Sequence, residues 1–374
     1  MASLLPFYEE KVNLIYADPP FFTNRAYPAR VGRGEDSRRP REWQLAEGYA
    51  DHWPDLDAYL DFLYPRLALM YRLLAPTGSL YLHLDWHANA YARLLLDEIF
   101  GPERLLNEIV WCYHGPSPIR SAFNRKHDTL LVYTKGDQYT FNVDAVRQPY
   151  DPSTVKTFAS SPKAGFGKIP NLKRGKVPED WWYFPVVARL HTERTGYPTQ
   201  KPQALLERII RASSNPGDLV ADFFCGSGTT PVAAARLGRR FIANDVTYRA
   251  IHTTQARLVG SLGQSYPDTP QRRPFIIQTL GYEMDLRHSP AHIDWHGISV
   301  TIDLNVLPLL DYWEIDPAWD GKIFHSAVQA LRPRTNEPIA GTLDISVSGD
   351  KPICVRWVTL DGLLYQTIIE RRTV

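Results

Sequence analysis

The sequence predicts an α/β protein with a doubly wound, mostly parallel sheet and a small β domain at its carboxyl end. Strand-like apolar runs alternate with amphipathic helical stretches up to residue 134, and a second such series runs from 203 to 262. From about residue 271 the pattern changes to alternating or β-branched runs with little helix. The 374 residues, 44% of them hydrophobic, suffice for both parts. We assign residues 1–265 to the large domain and 271–374 to the β domain, for which a sandwich is one candidate architecture.

The first predicted strand ends in a stiff corner, NLIYADPPFFTN, at residues 13–24. The run from Leu14 to Ala17 is apolar, as in a buried strand. Pro19 and Pro20 end this strand because neither can donate a hydrogen bond to a sheet ladder. Asp18 is therefore expected at the tip of a strand.

Helices and strands then alternate along the chain. A long amphipathic helix is predicted next, with Asp55 as its N-cap, because its apolar residues recur at steps of four and three. These residues are Leu56, Leu60, Leu63, Leu67, Met70 and Leu74. Further elements are predicted as a strand at 80–84, a helix at 87–100 and a hairpin pair of strands at 106–113 and 129–134.

The middle of the chain lacks this periodicity. From about residue 135 to 190 the content of Pro, Gly and Lys rises, which predicts a loop-rich insertion instead of core. Regular structure resumes with PQALLERIIRASS as a helix, LVADFF as a strand, TTPVAAARLG as a helix and RRFIAND as a strand. A helix from about Tyr248 to Leu262 completes the large domain.

A glycine-rich turn joins a strand to a helix within residues 218–245. Gly226 and Gly228 allow a ligand to approach the backbone, and the following helix offers free N–H groups. Asp245 ends the next strand, where a carboxylate can accept hydrogen bonds from ribose hydroxyls. The turn matches neither a G-x-G-x-x-G dinucleotide site nor a G-K-[ST] phosphate loop, so the ligand need not carry phosphate. We therefore predict an adenosine-like ligand.

Composition and charge argue against several classes of protein. Cys112, Cys225 and Cys354 have no C-x-x-C spacing, so neither a structural zinc site nor a disulfide framework is predicted. No stretch has the length of a membrane span and the first residues lack the layout of a secretory signal, so we expect a cytoplasmic protein. The net charge of +1 does not by itself indicate a polyanionic partner. Two local clusters are basic: residues 25–43 carry six arginines and three acids, and residues 161–178 carry five basic residues and no acid.

Three stretches together resemble the amino DNA methyltransferases: DPPF at 18–21, TGYPTQKP at 195–202 and DFFCGSGTT at 222–230. The catalytic motif comes first and the cofactor motif last, with a variable stretch between them, which resembles the β class of type III modification and cell-cycle methyltransferases. The resemblance covers about residues 12–260. It implies a Rossmann-like fold with a target-recognition insertion at about 114–190. One departure is Phe223, which stands where the family often has a proline.

The resemblance implies catalytic roles for Asp18, Pro19, Pro20 and Phe21. An exocyclic amine on a base is a poor nucleophile because its lone pair is delocalised into the ring. The Asp18 carboxylate and the Pro19 carbonyl would accept hydrogen bonds from that amine, and the two prolines would hold these acceptors in place. Phe21 would stack on the extruded base.

The resemblance also implies S-adenosylmethionine as the cofactor, with no metal. Asp222 and residues 224–228 would hold its methionine portion, Asp245 its ribose and residues 199–201 its far side. The expected cofactor contacts are Asp18, Thr199, Gln200, Lys201, Asp222, Phe224, Cys225, Gly226, Ser227, Gly228, Thr229 and Asp245. His83 and Asp85 also end a predicted strand, but a core histidine and a cap are favoured for them over catalysis.

We expect double-stranded DNA as the substrate, with the target base flipped out of the duplex and the N6 amine of adenine as the methyl acceptor. Methylation of cytosine N4 is the alternative, because the motif's aspartate only favours adenine. A non-catalytic DNA-binding subunit and an RNA substrate are further alternatives. Both basic clusters are expected to contact DNA. For the β domain, homodimerisation, a DNA clamp and contact with a restriction nuclease are candidate roles.

Overall fold

The structure is a computed structural model of the 374-residue chain. The residues that it describes are 1–31, 44–116, 118–160, 170–188, 191–262, 287–288, 293–296, 299–303, 305, 307–321, 324–332, 338–346, 350–359 and 364–370. They form two compact units. The first comprises Met1–Tyr27, Tyr49–Glu193 and Thr199–Thr254, and the second comprises Pro28–Gly48, Arg194–Pro198 and Gln255–Val374.

The regular elements up to residue 262 include the predicted alternation, together with a short helix and two strands before residue 52 that the sequence did not indicate. The strands are β1 (Val12–Ala17), β2 (Arg25–Val31), β3 (Gln44–Asp51), β4 (Leu74–Leu84), β5 (Leu105–Cys112), β6 (His127–Thr134), β7 (Trp181–Tyr183), β8 (Leu219–Asp222) and β9 (Arg240–Ala243). The helices are α1 (Leu5–Tyr8), α2 (Leu56–Leu73), α3 (Asn89–Phe100), α4 (Pro152–Ser160), α5 (Gln203–Ser213), α6 (Thr229–Arg236) and α7 (Tyr248–Leu262).

A seven-stranded sheet organises the first unit, in the order β7-β5-β6-β4-β1-β8-β9. Neighbouring strands run parallel except at β6, which is antiparallel to both β4 and β5. In the sheet, β4 lies on one side of β1 and β8, which comes much later in the chain, lies on its other side. The strand order therefore reverses at β1. Open α/β sheets bind ligands beyond the carboxyl ends of their strands at such a switch point. The predicted mostly parallel sheet is confirmed, and its switch point lies at the DPPF corner.

Helices cover both faces of this sheet, which makes it doubly wound as predicted. Val12, Ile15 and Ala17 of β1 pack in one apolar cluster together with residues of α2 and α3. Leu14 and Tyr16 pack in a second cluster together with residues of α5 and α6. The strand that carries the corner is thus buried on both faces, which fixes the position of its carboxyl end.

The connection from α2 to β4 is tighter than the sequence suggests. The predicted N-cap of α2 is confirmed, because the Asp55 side chain accepts a hydrogen bond from Ala58 N at 2.9 Å. The strand after this helix begins at Leu74, six residues earlier than predicted. Gly78 allows this early start, since a Cβ there would lie 2.9 Å from the Val12 carbonyl oxygen of β1.

The described residues of the loop-rich stretch predicted from 135 to 190 include an α-helix and a short strand. Helix α4 lies on the surface, with no buried side chain. Strand β7 pairs in parallel with β5. Its Trp182 is buried in the second apolar cluster, which contains residues of α5 and α6. A strand of three residues is too short to show an alternating pattern, which is why the sequence did not indicate it. Residues 32–43 and 161–169, which carry much of the two basic clusters, lie outside the described residues.

The end of the chain is β-rich, as predicted. Its strands are β10 (Arg287–His288), β11 (Ile293–His296), β12 (Ser299–Ile302), β13 (Leu310–Asp316), β14 (Val328–Leu331), β15 (Thr342–Asp344), β16 (Ile353–Thr359) and β17 (Leu364–Ile369). They form a five-stranded sheet, β10-β17-β16-β13-β14, and a three-stranded sheet, β11-β12-β15. Both sheets contribute to one apolar cluster that contains Trp313 and Trp357. Within the described parts of the chain, none of the helices combines the length and the apolar character needed to cross a membrane.

Candidate active site

Three carboxylates lie beyond the carboxyl ends of neighbouring strands. Asp18 follows β1, Asp222 ends β8, and Asp245 comes shortly after β9. β1 and β8 pair in parallel with Ile15 beside Ala221, and β8 pairs in parallel with β9. The carboxyl ends of parallel strands share one edge of a sheet, so the sheet order gathers these acids although they are distant in sequence.

Asp18 has one engaged oxygen and one available oxygen. Its Oδ2 accepts a hydrogen bond from Lys201 Nζ at 2.5 Å, and the two side chains of this ion pair are only 16% and 10% exposed. Its Oδ1 is buried, and no group in the described part of the chain donates a hydrogen bond to it. His83 Nδ1 lies 3.9 Å from Oδ1, beyond hydrogen-bonding distance. The carboxylate is therefore held by a cation on one side and keeps an acceptor on the other.

The corner that follows Asp18 is folded around a second carboxylate, Asp51. This residue ends β3 and is 1% exposed. Its oxygens accept hydrogen bonds from the backbone N–H groups of Phe21, Phe22 and Thr23, from the Thr23 hydroxyl and from the Trp53 indole. Successive N–H groups can converge on one anion only when the backbone turns tightly, so Asp51 determines the shape of the corner. Neither spacing nor motif distinguishes Asp51 in the sequence.

The two phenylalanines of the corner have different surroundings. The Phe21 ring lies near the ion pair, with Lys201 Nζ 5.3 Å and the His83 ring 5.7 Å from its centroid. Phe22 has a left-handed backbone (φ 64°), and its ring packs 5.4 Å from that of Tyr59 in α2. The Tyr59 hydroxyl donates to the Pro20 carbonyl at 2.9 Å. Phe21 is thus the ring on the side of Asp18, and Phe22 anchors the corner to the helix.

A buried polar network lies behind Asp18. His83 is fully buried, and its ring nitrogens contact Tyr16 Oη (2.7 Å) and Asp128 Oδ2 (3.2 Å). A carboxylate can only accept, so Nε2 carries the proton donated to Asp128, and in the neutral ring Nδ1 accepts from Tyr16. Tyr113 donates to the other Asp128 oxygen at 3.0 Å. Burial alone would raise the pKa of Asp128, but the hydrogen bond from His83, the nearby charge of Lys201 and the hydrogen bond from Tyr113 together outweigh it, and the pKa lies below its usual value.

The glycine-rich turn has the geometry of a ligand cradle. Gly226 and Gly228 both have positive φ, 47° and 76°, and a Cβ on Gly228 would lie 2.4 Å from the Thr254 hydroxyl. Gly226 N donates to Asp245 Oδ2 at 2.9 Å. Phe224 N donates to Asp222 Oδ1 at 3.0 Å, so the turn is tied to both acids that flank it.

The electrostatics of this turn favour a cationic ligand. Burial raises the pKa of Asp222 to about 7, against the lowering effect of hydrogen bonds from Thr230 and Phe224, and the charges of Asp18 and Asp245 raise it further. Burial likewise raises the pKa of Asp245. Buried acids with raised pKa values are stabilised by a positive charge placed among them. A ligand that carries both an ammonium and a sulfonium group, as S-adenosylmethionine does, fits this set of residues.

The TQKP stretch approaches the same edge from the other side. Thr199 has a left-handed backbone (φ 54°), and its hydroxyl lies 3.2 Å from Tyr49 Oη. Gln200 Nε2 donates to the Glu193 carbonyl at 2.7 Å. Lys201 reaches Asp18 with its side chain, and its carbonyl accepts from Thr229 Oγ1 at 3.1 Å. Lys201 therefore joins the predicted catalytic corner to the predicted cofactor turn, a link that the sequence did not reveal.

The remaining residues predicted at the cofactor site are buried next to the turn. Cys225 N donates to the Asn244 carbonyl at 3.0 Å, and burial raises the pKa of its thiol well above the usual value, so this thiol stays protonated. Ser227 is buried, with its Oγ 3.3 Å from Thr229 Oγ1. These side chains support the turn.

Comparison with known proteins gives matches to DNA methylases. A family model described as DNA methylase, N6_N4_Mtase, matches residues 12–256. The DNA adenine methyltransferase YhdJ of Escherichia coli K12 is 32% identical over 69% of this chain and 80% of its own length. The type II methyltransferase M.HpaI of Haemophilus parainfluenzae is 30% identical over 67% of this chain and 69% of its own. The crystal structure of the M1.HpyAVI–SAM complex aligns with a TM-score of 0.44 and 22% identity over 69% of this chain and 95% of that one.

Proposed function

Because this chain belongs to the N6/N4 DNA methylase family, which depends on S-adenosylmethionine, we propose that it methylates the N6 amine of adenine in double-stranded DNA. The observation that carries this proposal is the buried Asp18 Oδ1, which has no hydrogen-bond donor within the described residues. A buried carboxylate oxygen without a donor is costly in a folded protein unless a ligand supplies the donor. The exocyclic amine of a flipped base supplies it.

Asp18 acts on the amine by accepting one of its hydrogens at Oδ1, and the Pro19 carbonyl accepts the other. Both acceptors draw electron density onto the nitrogen, so that its lone pair is less delocalised into the ring and can attack the methyl group. The Lys201 ammonium holds Oδ2 in place, which keeps Oδ1 aimed at the substrate. The surplus proton of the methylated amine leaves through Asp18 Oδ1. Since these groups are fixed before the base arrives, little reorganisation accompanies the reaction.

The cofactor residues are proposed from the cradle geometry. When bound, S-adenosylmethionine supplies an electrophilic methyl group on a sulfonium sulfur. The backbone from Phe224 to Gly228 and the Asp222 carboxylate hold its methionine portion, and Asp245 accepts hydrogen bonds from its ribose. The backbone of Thr199 to Lys201 covers its far side. The raised pKa values of Asp222 and Asp245 support this assignment, since both acids gain from a nearby cation.

If double-stranded DNA is the substrate, the target base must leave the helix. While the base is stacked inside the duplex, a pocket at the edge of a sheet cannot reach its amine. Phe21 lies beside the Asp18–Lys201 ion pair, where its ring can stack on the extruded base and offset part of the unstacking cost. Adenine is proposed over cytosine because of the aspartate in the motif and because the relative YhdJ is named an adenine methyltransferase.

The decisive experiment measures transfer of labelled methyl from S-adenosylmethionine to unmethylated duplex DNA and, in parallel, to RNA, followed by digestion to nucleosides and mass analysis. We expect N6-methyl-2′-deoxyadenosine as the product. N4-methyl-2′-deoxycytidine would instead assign the alternative base, labelling of RNA alone would assign the other nucleic acid, and cofactor binding without any labelling would assign a non-catalytic subunit. Asp18→Asn should lower kcat by about a hundredfold or more, a loss larger than any change in its cofactor affinity. The exposed Asp61→Asn on α2 is the matched control and should retain full activity.

A further inference from the structure

Phe123 is an apolar side chain with no protein surface to cover it. It is 98% exposed, the most exposed of the large hydrophobic residues in the described parts of the chain. It lies on the loop between β5 and β6, residues 113–126, in which Ser117 is outside the described set. A single exposed apolar side chain needs no explanation by itself, so the position and the charge of this loop carry the inference.

Sheet topology places this loop at the catalytic edge. β1 runs parallel to β4, β4 antiparallel to β6, and β6 antiparallel to β5, so β5 ends at the same edge as β1. The loop that starts after Cys112 therefore lies on the side where Asp18 follows Ala17. Phe7, which is 67% exposed, lies in α1 before β1 and thus at the opposite end of that strand.

Contacts tie the ends of the loop to the active-site network. Tyr113 N donates to the Lys126 carbonyl at 3.0 Å, and the Tyr113 hydroxyl donates to Asp128, the partner of His83. The Arg125 guanidinium lies 4.1 Å from the centre of the Trp86 ring, just past the end of β4. The base of the loop is thus fixed relative to Asp18, while its tip, Ile119 to Phe123, is exposed.

The charge of the loop fits a phosphate backbone. Residues 114–126 carry Arg120, Arg125 and Lys126 and no acid. Arg120 and Arg125 are exposed on either side of Phe123. A single apolar ring between two arginines does not resemble a protein-binding patch, which would be contiguous and apolar. It does resemble the wedge of a DNA-bending or base-flipping protein, in which an apolar side chain enters the stack and cations contact the adjacent phosphates.

We propose that Phe123 enters the DNA duplex and fills the space left by the flipped base, while Arg120 and Arg125 contact the flanking phosphates. This inference rests on the proposed function, since only a flipped base leaves such a space. Flipping removes two stacking contacts from the duplex, and an inserted aromatic ring restores stacking on the neighbouring bases. Phe21 then stabilises the base outside the helix and Phe123 stabilises the gap inside it.

The test compares Phe123→Ala with the matched control Phe7→Ala on two duplexes that contain a methylated site located by sequencing of the product DNA. One duplex is fully paired, and in the other the target base is mispaired, which lowers the cost of flipping. We expect Phe123→Ala to lower kcat/KM about tenfold to a hundredfold on the paired duplex. On the mispaired duplex the loss should be within about threefold, and Phe123→Trp should retain activity on both. Phe7→Ala should match the wild type throughout.

Fluorescence of 2-aminopurine at the target position reports flipping directly. The wild type and Phe7→Ala should raise this fluorescence on binding, and Phe123→Ala should raise it less. Equal activity of Phe123→Ala and wild type on the paired duplex would overturn the proposal, as would equal losses on the two duplexes. Failure of the wild type to label any duplex would instead overturn the proposed function. Since the Phe123 side chain is exposed, thermal unfolding of the variant should be unchanged.

Discussion

Lys201 Nζ and Asp18 Oδ2 lie 2.5 Å apart although 183 positions separate the two residues in sequence. The ion pair is largely buried, so water screens it little. It couples the TQKP segment to the carboxylate that is proposed to receive the amine. One lysine thus joins the proposed catalytic group to the helix that follows the proposed cofactor turn.

Lys201→Gln should show whether Lys201 positions the Asp18 carboxylate or only supports the local structure. Without the cation, Asp18 Oδ2 loses its hydrogen-bond donor, so the side chain no longer has the anchor that fixes Oδ1 for the amine. We expect kcat to fall about tenfold to a hundredfold while the KM for DNA stays within about threefold of wild type. Steady-state methylation at saturating cofactor checks this. Lys176→Gln, which removes a lysine paired with Glu179 at the surface, is the control, and a Lys201→Gln variant with wild-type kcat would contradict the prediction.

Asp51→Asn should damage the catalytic corner without altering the cofactor cradle. An amide offers one acceptor oxygen where the carboxylate has two, so even in its better orientation the N–H groups of Phe22 and of the Trp53 indole lose their acceptor. Each unsatisfied buried donor costs about 1 to 3 kcal/mol. We expect unfolding free energy to fall by about 2 kcal/mol or more and kcat at least tenfold, with cofactor affinity within about twofold of wild type.

The control for that substitution is Asp55→Asn, the same chemical change four residues later. Asp55 caps α2 at an exposed position, and asparagine caps helices equally well. Denaturant unfolding and methylation rates should therefore match the wild type. If Asp51→Asn behaved in the same way, Asp51 would not determine the shape of the corner.

Gly228→Ala and Gly238→Ala form a matched pair. Both glycines have left-handed backbones, φ 76° and 74°, so an alanine at either should cost about 1 kcal/mol of stability. A Cβ at 228 would also meet Thr254, whereas a Cβ at 238 would meet nothing within 4 Å. We expect calorimetric titration to show cofactor affinity weakened at least tenfold by Gly228→Ala and unchanged by Gly238→Ala. Equal affinities for the two variants would show that the turn does not cradle the cofactor.

Cofactor affinity should rise with pH near neutrality. In the protein without cofactor the pKa of Asp222 is about 7, above the ordinary value of a carboxyl group, so the acid is mostly protonated at pH 6 and mostly ionised at pH 7.5. If the cationic cofactor binds the ionised form, affinity should increase about eightfold over that interval. Calorimetric titration at pH 6, 6.75 and 7.5 measures this increase. Asp222→Asn should bind more weakly at pH 7.5 and lose the pH dependence, and an affinity that fell with pH in the wild type would contradict the assignment.

Short motifs and apolar periodicity predicted the features that are local in sequence. DPPF at the end of β1, the turn from Asp222 to Gly228 and the N-cap Asp55 each depend on a few adjacent residues, and each lies where it was expected in the fold. The doubly wound, mostly parallel sheet followed from the alternation of strands and helices, whereas its strand order was not predicted. Predicted roles in catalysis and cofactor binding rest on the family resemblance and await the experiments above.

Tertiary contacts between distant residues could not be predicted in this way. Asp51 shapes the corner, Asp128 orients His83, and Lys201 pairs with Asp18, yet none of these pairings leaves a periodic or spaced signal. The sequence alone does not distinguish a buried, hydrogen-bonded carboxylate from an exposed one. Strand β7 could not be predicted either, because its three residues show no strand pattern and join the sheet by pairing with β5.

The placement of β1 between β4 and β8 has a consequence for synthesis of the chain on the ribosome. β4 is made soon after β1, but β8 emerges some 200 residues later, so until then one edge of an apolar strand is unpaired. Unpaired apolar edges promote association between nascent or partly folded chains. Folding of the sheet is governed by this late, long-range pairing. A nascent chain therefore lacks the proposed cofactor turn until β8 is made, and we expect truncated products that end before residue 219 to aggregate.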